Sequence, residues 1–157
     1  MIGRLKINYI LIPLFVIITG SAASYFADVG KVWYKTIHVP AWTPSNSLMV
    51  LAWTIIFALS SFSILIVWNK YSSEKNFRLI IILFITNAIL VVGWNILFFN
   101  QQQIGLAFFQ AVLLITNLLL LVLHIWRFSP IAAFLLLPYS GWVLFSTVLT
   151  FNVWMIN

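Results

Sequence analysis

Two carboxylates, two histidines and eight tryptophans are the side chains of this 157-residue chain with the most chemistry to offer. The carboxylates are Asp28 and Glu74. General acid–base work needs groups within hydrogen-bond reach of one reacting centre. An apolar core separates these two, so they form no such pair. His38 and His124 have no partner at metal-ligand spacing and no carboxylate to orient them. His124, near the end of an apolar run, reads as an interfacial residue and His38 as a solvated loop residue. The chain has no cysteine, which removes disulfides, thiolate metal sites and thiol nucleophiles together. It holds no glycine-rich phosphate loop and no Ser–His–carboxylate set.

What remains is aromatic and neutral-polar chemistry. Aromatic residues make up 17% of the chain, and several recur at helical spacing. Trp53 and Phe57 are i,i+4, as are Trp94 and Phe98. Trp142, Phe145, Ser146 and Leu149 share a face. Trp33, Trp68, Trp126 and Trp154 fall near the ends of apolar runs, where interface belts and helix packing account for them. Trp53 and Trp142 lie deeper. A buried indole needs a partner for its N–H, so packing and pocket lining both stand for these two. Asn87 and Trp94 are seven apart, as are Gln110 and Asn117. Such residues serve either as interhelical hydrogen-bond glue or as ligand contacts.

The elements that must position these groups follow from composition. The chain is 64% hydrophobic and only 6% charged, against about 25% charged for a soluble domain. Its outer surface therefore faces lipid. At roughly 20 residues per span, apolar runs fall at about Ile7–Phe26, Ser45–Trp68, Phe77–Phe99, Ile104–Trp126 and Pro130–Trp154. The expected fold is an all-α integral membrane protein, a five-helix bundle forming one domain over residues 1–157. Ser21-Ala22-Ala23-Ser24 is like a signal-peptide cleavage site. The length of the first run, and the membrane-like character of all that follows, favour a retained helix instead. Gly20 and Ser24 form a small-xxx-small pair that permits close helix approach.

Residues 27–44 hold Asp28, Lys31, Lys35, His38, Pro40 and Pro44, and are expected to form a long surface loop. Thr43-Pro44 and Ser129-Pro130 each read as a helix cap followed by a first-turn proline. Pro138 falls inside the last run and cannot donate to the Phe134 carbonyl, so a kink or local cavity is expected there.

The net charge of +6 is scattered rather than gathered on one face, which argues against nucleic-acid binding. Arg4, Lys6, Lys70, Lys75, Arg78 and Arg127 collect on one side of the membrane, and only Lys31 and Lys35 on the other. The positive-inside rule then puts the N-terminus inside, and the C-terminus and long loop outside. No Asp, Glu, Lys or Arg lies deep within an expected span, Arg78 being only the second residue of the third, which argues against an ion-coupled transporter.

Trp33-Tyr34, then Pro40-Ala41-Trp42-Thr43-Pro44, then Trp53 resemble the signature of the TspO/MBR family, the translocator or tryptophan-rich sensory proteins. That signature reads W-Y-x-x-L-x-K-P-x-W-x-P-P, with a later Trp. Trp94, Phe98-Phe99, Gln103 and Gly105 resemble its W-x-x-x-F-F turn. Pro138-Tyr139-Ser140-Gly141-Trp142 and Phe145-Ser146-Thr147 resemble its P-Y-x-x-W-x-x-F-A-T segment. These matches run in order along nearly the whole chain.

The resemblance implies a five-helix fold, a homodimer, and a pocket opening toward the first loop. It implies a tetrapyrrole ligand such as protoporphyrin IX or haem, with no obligatory cofactor. Its pocket positions are Tyr34, Trp53, Phe57, Trp142 and Ser146 here. With Trp42, Asn87, Trp94, Phe98 and Gln110 they complete the candidate ligand-binding set. Where the family carries Lys, Pro, Asn, an acid and Asn, this chain has Val39, Ser45, Val91, Gln110 and Thr150. Its sterol-type Tyr…Arg pattern is missing from Phe151-Asn152-Val153-Trp154, so sterol recognition is unsupported. The leading expectation is a ligand-binding protein of a bacterial cell membrane, acting in sensing, transport or stress response. One alternative is light-dependent porphyrin degradation, with Trp53 and Trp142 as redox partners. Another is a passive transporter or scaffold for some other lipophilic molecule.

Overall fold

A computed structural model of the chain describes residues 7–157, and the described residues are helical and loop with no strand. Arg4 and Lys6, part of the orientation argument, lie outside them. Helix α1 is Asn8–Val29, α2 Lys31–Tyr34, α3 Asn46–Tyr71 and α4 Phe77–Asn95. A π-helical turn, Ile96–Asn100, prolongs α4. Then come α5 Ile104–Trp126, α6 Pro130–Phe134 and α7 Leu137–Ile156. Five stretches of 22 to 27 residues are long and apolar enough to cross a membrane: Asn8–Val29, Asn46–Tyr71, Phe77–Asn100, Ile104–Trp126 and Pro130–Ile156. At about 1.5 Å per residue each exceeds the roughly 30 Å hydrocarbon core. In lipid only a helix satisfies its own backbone groups, so these apolar runs have no other stable form.

The distribution of side chains is that of a membrane bundle. Ile17, Ile18, Leu113 and Leu144 are exposed, whereas Thr19, Ser63, Asn87, Asn117, Thr147 and Thr150 are buried. Packing gives the helix order. Helix α1 lies against α3 and α4, α4 against α5, and α5 against α7 and α6, while α6 reaches back to α3. The ring therefore runs α1–α3–α7–α5–α4. The α3–α7 seam is the sparse one.

Helix ends depart from expectation in three places. Helix α1 runs on to Val29, so Asp28 is in its last turn rather than in the loop. A fully exposed pair is formed there with Lys31 at 3.8 Å, a contact worth little. What stops α1 is Gly30, where a Cβ would come within 2.5 Å of the Phe99 carbonyl oxygen and 2.6 Å of its Cβ. Only glycine lets the π-helical turn approach so closely. The loop then opens with a further turn of helix, α2. At the second span the cap is Ser45, whose Oγ accepts from the Leu48 amide at 3.3 Å. Thr43 is occupied elsewhere, its hydroxyl donating to the Pro40 carbonyl at 2.6 Å. The Ser129 cap stands as expected, accepting from the Ala132 amide at 3.3 Å with Pro130 beginning α6.

The last span is broken at Leu135–Leu136, one turn before Pro138. Pro138 withholds a donor from the Phe134 carbonyl. The Leu136 amide turns to Ala133 instead of Ala132. Ser63 of α3 then donates to the Ala132 carbonyl at 2.8 Å in a fully buried position. A serine from a neighbouring helix thus satisfies a carbonyl left free by the break. Gly20 does accept a close neighbour: the Phe57 ring lies 3.0 Å from where its Cβ would be.

Candidate functional site

The candidate aromatic residues fall into three ring groups. Trp53 lies 5.6 Å from Phe57 and 6.0 Å from Tyr139, joining α3 to α7. Trp142 lies 5.4 Å from Phe145, which meets Trp42 of the loop edge-on at 5.6 Å. Trp94 stacks on Phe98 at 4.9 Å, and Trp33 and Tyr34 lean on Phe98 from the loop at 5.6 and 6.1 Å. Each such pair adds about 0.5–1.5 kcal/mol beyond simple burial. Trp142 packs on the central core and Phe145 on the cluster under the loop, so this one contact links the two. Burial pushes the Tyr34 phenol above its ordinary value of 10.0.

The helix faces anticipated for Trp53–Phe57 and Trp142–Ser146 therefore meet across the sparse seam between α3 and α7. Ser146, half-buried, sits one turn beyond Trp142. Trp42, Trp53 and Trp142 line this seam. Tyr34, Trp94 and Phe98 belong to the neighbouring cluster under the loop, which also takes in Phe145. Asn87 lies deeper, on the wall of a small void of about 30 Å³ that also touches Phe57, Ser60 and Tyr139. Its carboxamide is already used twice: it accepts from Tyr139 Oη at 2.7 Å and donates to Asn117 at 3.3 Å. Gln110 lies in the α4–α5 seam, donating to the Leu90 carbonyl at 3.3 Å. Both thus act as bonds between helices, the first of the two roles open to them.

Three buried side-chain polar atoms have no partner among the described residues: Ser60 Oγ and Ser61 Oγ of α3, and Trp142 Nε1 of α7. The last is an indole N–H. Leaving such a donor unpaired costs about 1–3 kcal/mol, and an unsatisfied group of this kind calls for an explanation. Here the indole N–H is available to an incoming acceptor.

Three further groups matter that residue types alone did not single out. Tyr139 joins the Trp53 ring to the Asn87 carboxamide. Phe145 bridges Trp42 and Trp142; its place on the Trp142 face was the available signal. Asn157 grips the loop: its Oδ1 accepts from the His38 amide at 2.9 Å and its Nδ2 donates to the His38 carbonyl at 2.8 Å. No local pattern could pair residues that far apart in sequence. His124 bonds through Nδ1 to the Leu120 carbonyl at 2.7 Å, at the opposite end of the bundle. No group of three potential metal-ligating side chains occurs among the described residues.

A larger cavity, about 660 Å³, adjoins the small void, with Phe15 and Phe84 between them. It lies between α1, α3 and α4 at the end that carries Asn8, Asn69 and Ser72.

A model of the TspO/MBR family matches residues 9–155. The tryptophan-rich protein TspO of Archaeoglobus fulgidus is 32% identical over 146 residues, covering 92% of this chain and 93% of that protein. Its namesake in Bacillus cereus is 29% identical, covering 86% and 87% respectively. The human translocator protein is 26% identical, covering 82% and 76%.

Proposed function

This chain belongs to the TspO/MBR family, and from that premise we propose that it binds a flat, largely apolar ring ligand of the tetrapyrrole class. The site is the α3–α7 seam beneath Tyr34 and Trp42. The observation that carries this reading is the buried, unpartnered indole N–H of Trp142 beside the tilted ring of Phe145. A tetrapyrrole offers faces for Trp53, Trp142 and Phe145 to stack on, and its carboxylates or ring nitrogens offer the acceptor. An apolar enclosure with a few directed polar groups is the usual form of a small-molecule site.

The described conformation is the closed one. Ligand pockets usually measure about 300–1,000 Å³, and the void beside Phe57 and Tyr139 is about 30 Å³. Binding therefore requires the loop to lift off Phe145 and the rings to part. The only two histidines are His38, pinned at its backbone to Asn157, and His124 at the far end. The rings support stacking of the macrocycle itself, so iron-free protoporphyrin is the first ligand to test.

The same reading makes the protein a homodimer of a bacterial cell membrane, following the family. It sets the end bearing Lys70, Lys75, Arg78 and Arg127 inside, by the positive-inside rule.

Titration of the purified protein in detergent with protoporphyrin IX, followed by tryptophan fluorescence, tests the reading. Saturable quenching is expected at one ligand per chain. Quenching that rises linearly, as in protein-free micelles doped with free tryptophan, would refute it.

A further inference from the structure

We propose that the groove between α1, α3 and α4 is a binding site for one anionic phospholipid. Its acyl chain would lie along the groove and its phosphate at the polar rim. The polar rim of this groove shares no residue with the aromatic seam, although Phe15 and Phe84 wall both the groove and the small void beside Tyr139.

The walls are apolar: Leu11 and Phe15 of α1, Ile64 of α3 and Ile85 of α4. Leu11, Phe15 and Ile85 are also exposed, at 52%, 39% and 46%. The cavity is thus a groove open sideways to the bilayer rather than a closed chamber. Its rim has a different chemistry. Asn8, 5% exposed, donates through Nδ2 to Asn69 Oδ1 at 3.1 Å, tying the start of α1 to the end of α3. Ser72 lies beside them and Trp68 stands at the edge, 39% exposed.

The dimensions fit one leaflet. From Asn8 to Phe15 along α1, and from Ser72 to Ile64 along α3, the depth is about 10–12 Å at 1.5 Å per residue. Half of a hydrocarbon core is roughly 15 Å. A groove running inward from the polar rim thus covers most of the depth that one leaflet's acyl chain occupies.

Charge selects the headgroup. Arg78 is seven residues before Ile85 and so lies on the groove-lining stripe of α4, at the rim. Lys70 and Lys75 flank it, and Glu74 is the sole acid at this end. Basic pockets between helices at a membrane surface hold anionic headgroups. Asn8 and Asn69 each commit one amide N–H, to Asn69 Oδ1 and to the Leu65 carbonyl, which leaves the second N–H of each and the Ser72 hydroxyl for phosphate oxygens.

Quenching by lipids brominated along the acyl chain tests this in vesicles. The protein is reconstituted with brominated phosphatidylglycerol or brominated phosphatidylcholine at equal mole fraction. The Trp68 signal is taken as the difference between wild type and Trp68→Phe. Trp126, exposed at the same end on α5, gives the annular reference through Trp126→Phe. The expected result is an apparent association about fivefold stronger for phosphatidylglycerol at Trp68, as one basic side chain provides. Trp126 should show no such preference. Arg78→Gln should abolish the preference and Arg78→Lys retain it. An equal preference at both tryptophans would mean surface charge alone and would overturn the site. Quenching of Trp68 by neither lipid would mean that protein covers the groove, and would also overturn it.

Discussion

Trp142 carries the most specific consequence of the structure. Its N–H has no partner while the rest of its ring is packed. Trp142→Phe keeps a stacking face and removes the donor, so the fold should be unharmed and even relieved of an unpaired group. Protoporphyrin affinity should drop about tenfold, the equivalent of one hydrogen bond of roughly 1.4 kcal/mol. Trp53→Phe, which loses no unpaired donor, should cost less. Fluorescence titration of the two variants against wild type measures both. Equal affinities would remove Trp142 from the site. At this scale the sequence was readable where spacing places residues on one helix face, as for Trp53 with Phe57 and Trp142 with Phe145. It was unreadable where role depends on a neighbour's atoms. Nothing in the spacing of Asn87 could reveal that Tyr139 and Asn117 occupy its carboxamide.

Helix ends and the loop are where element-level reading was least complete. The spans were legible because apolar runs end at charges and turn residues, and Ile104–Trp126 matches to the residue. The end of α1 was not, because a tertiary contact of Gly30 with Phe99 sets it. Pro138 announced a break but not the donor that makes the break tolerable. Ser63→Ala should therefore destabilise the bundle by about 1 kcal/mol, seen as a lower midpoint of unfolding by sodium dodecyl sulfate in mixed micelles. An unchanged midpoint would show that the Ala132 carbonyl needs no partner. The loop is held by the paired bonds of Asn157 to the His38 backbone. If lifting the loop admits the ligand, Asn157→Ala should speed protoporphyrin association about fivefold, for roughly 1 kcal/mol of lost closure. Stopped-flow quenching reads this directly. An unaltered association rate would place the entry route elsewhere.

The whole molecule was the most legible scale, because solvent decides it. A chain that is 6% charged has only lipid to face, and the structure duly exposes isoleucine and leucine while burying asparagine, serine and threonine. The ring order of helices was not legible, since apolar faces of similar character offer no pairing code. It is the sparse α3–α7 seam in that order that makes room for rings instead of backbones. Orientation is open to a clean test because the protein has no cysteine. A cysteine at Lys35 and another at Lys75, each introduced singly, should be labelled by an impermeant maleimide from opposite sides of intact cells, Lys35→Cys from outside. Labelling of Lys75→Cys from outside would invert the topology.

The central claim is that a tetrapyrrole sits between α3 and α7, and light-driven oxidation locates it most directly. An illuminated porphyrin passes its energy to dioxygen, and the oxidant formed attacks the nearest indoles. After brief illumination of the protoporphyrin complex, peptide mass spectrometry should find oxygen added first to Trp142 and Trp53. Trp68 and Trp126, at the opposite end, should be modified only at the slow rate of protein mixed with a detergent-bound dye. Oxidation that begins at Trp68, beside the groove of α1, α3 and α4, would put the ring ligand in that groove and contradict the account.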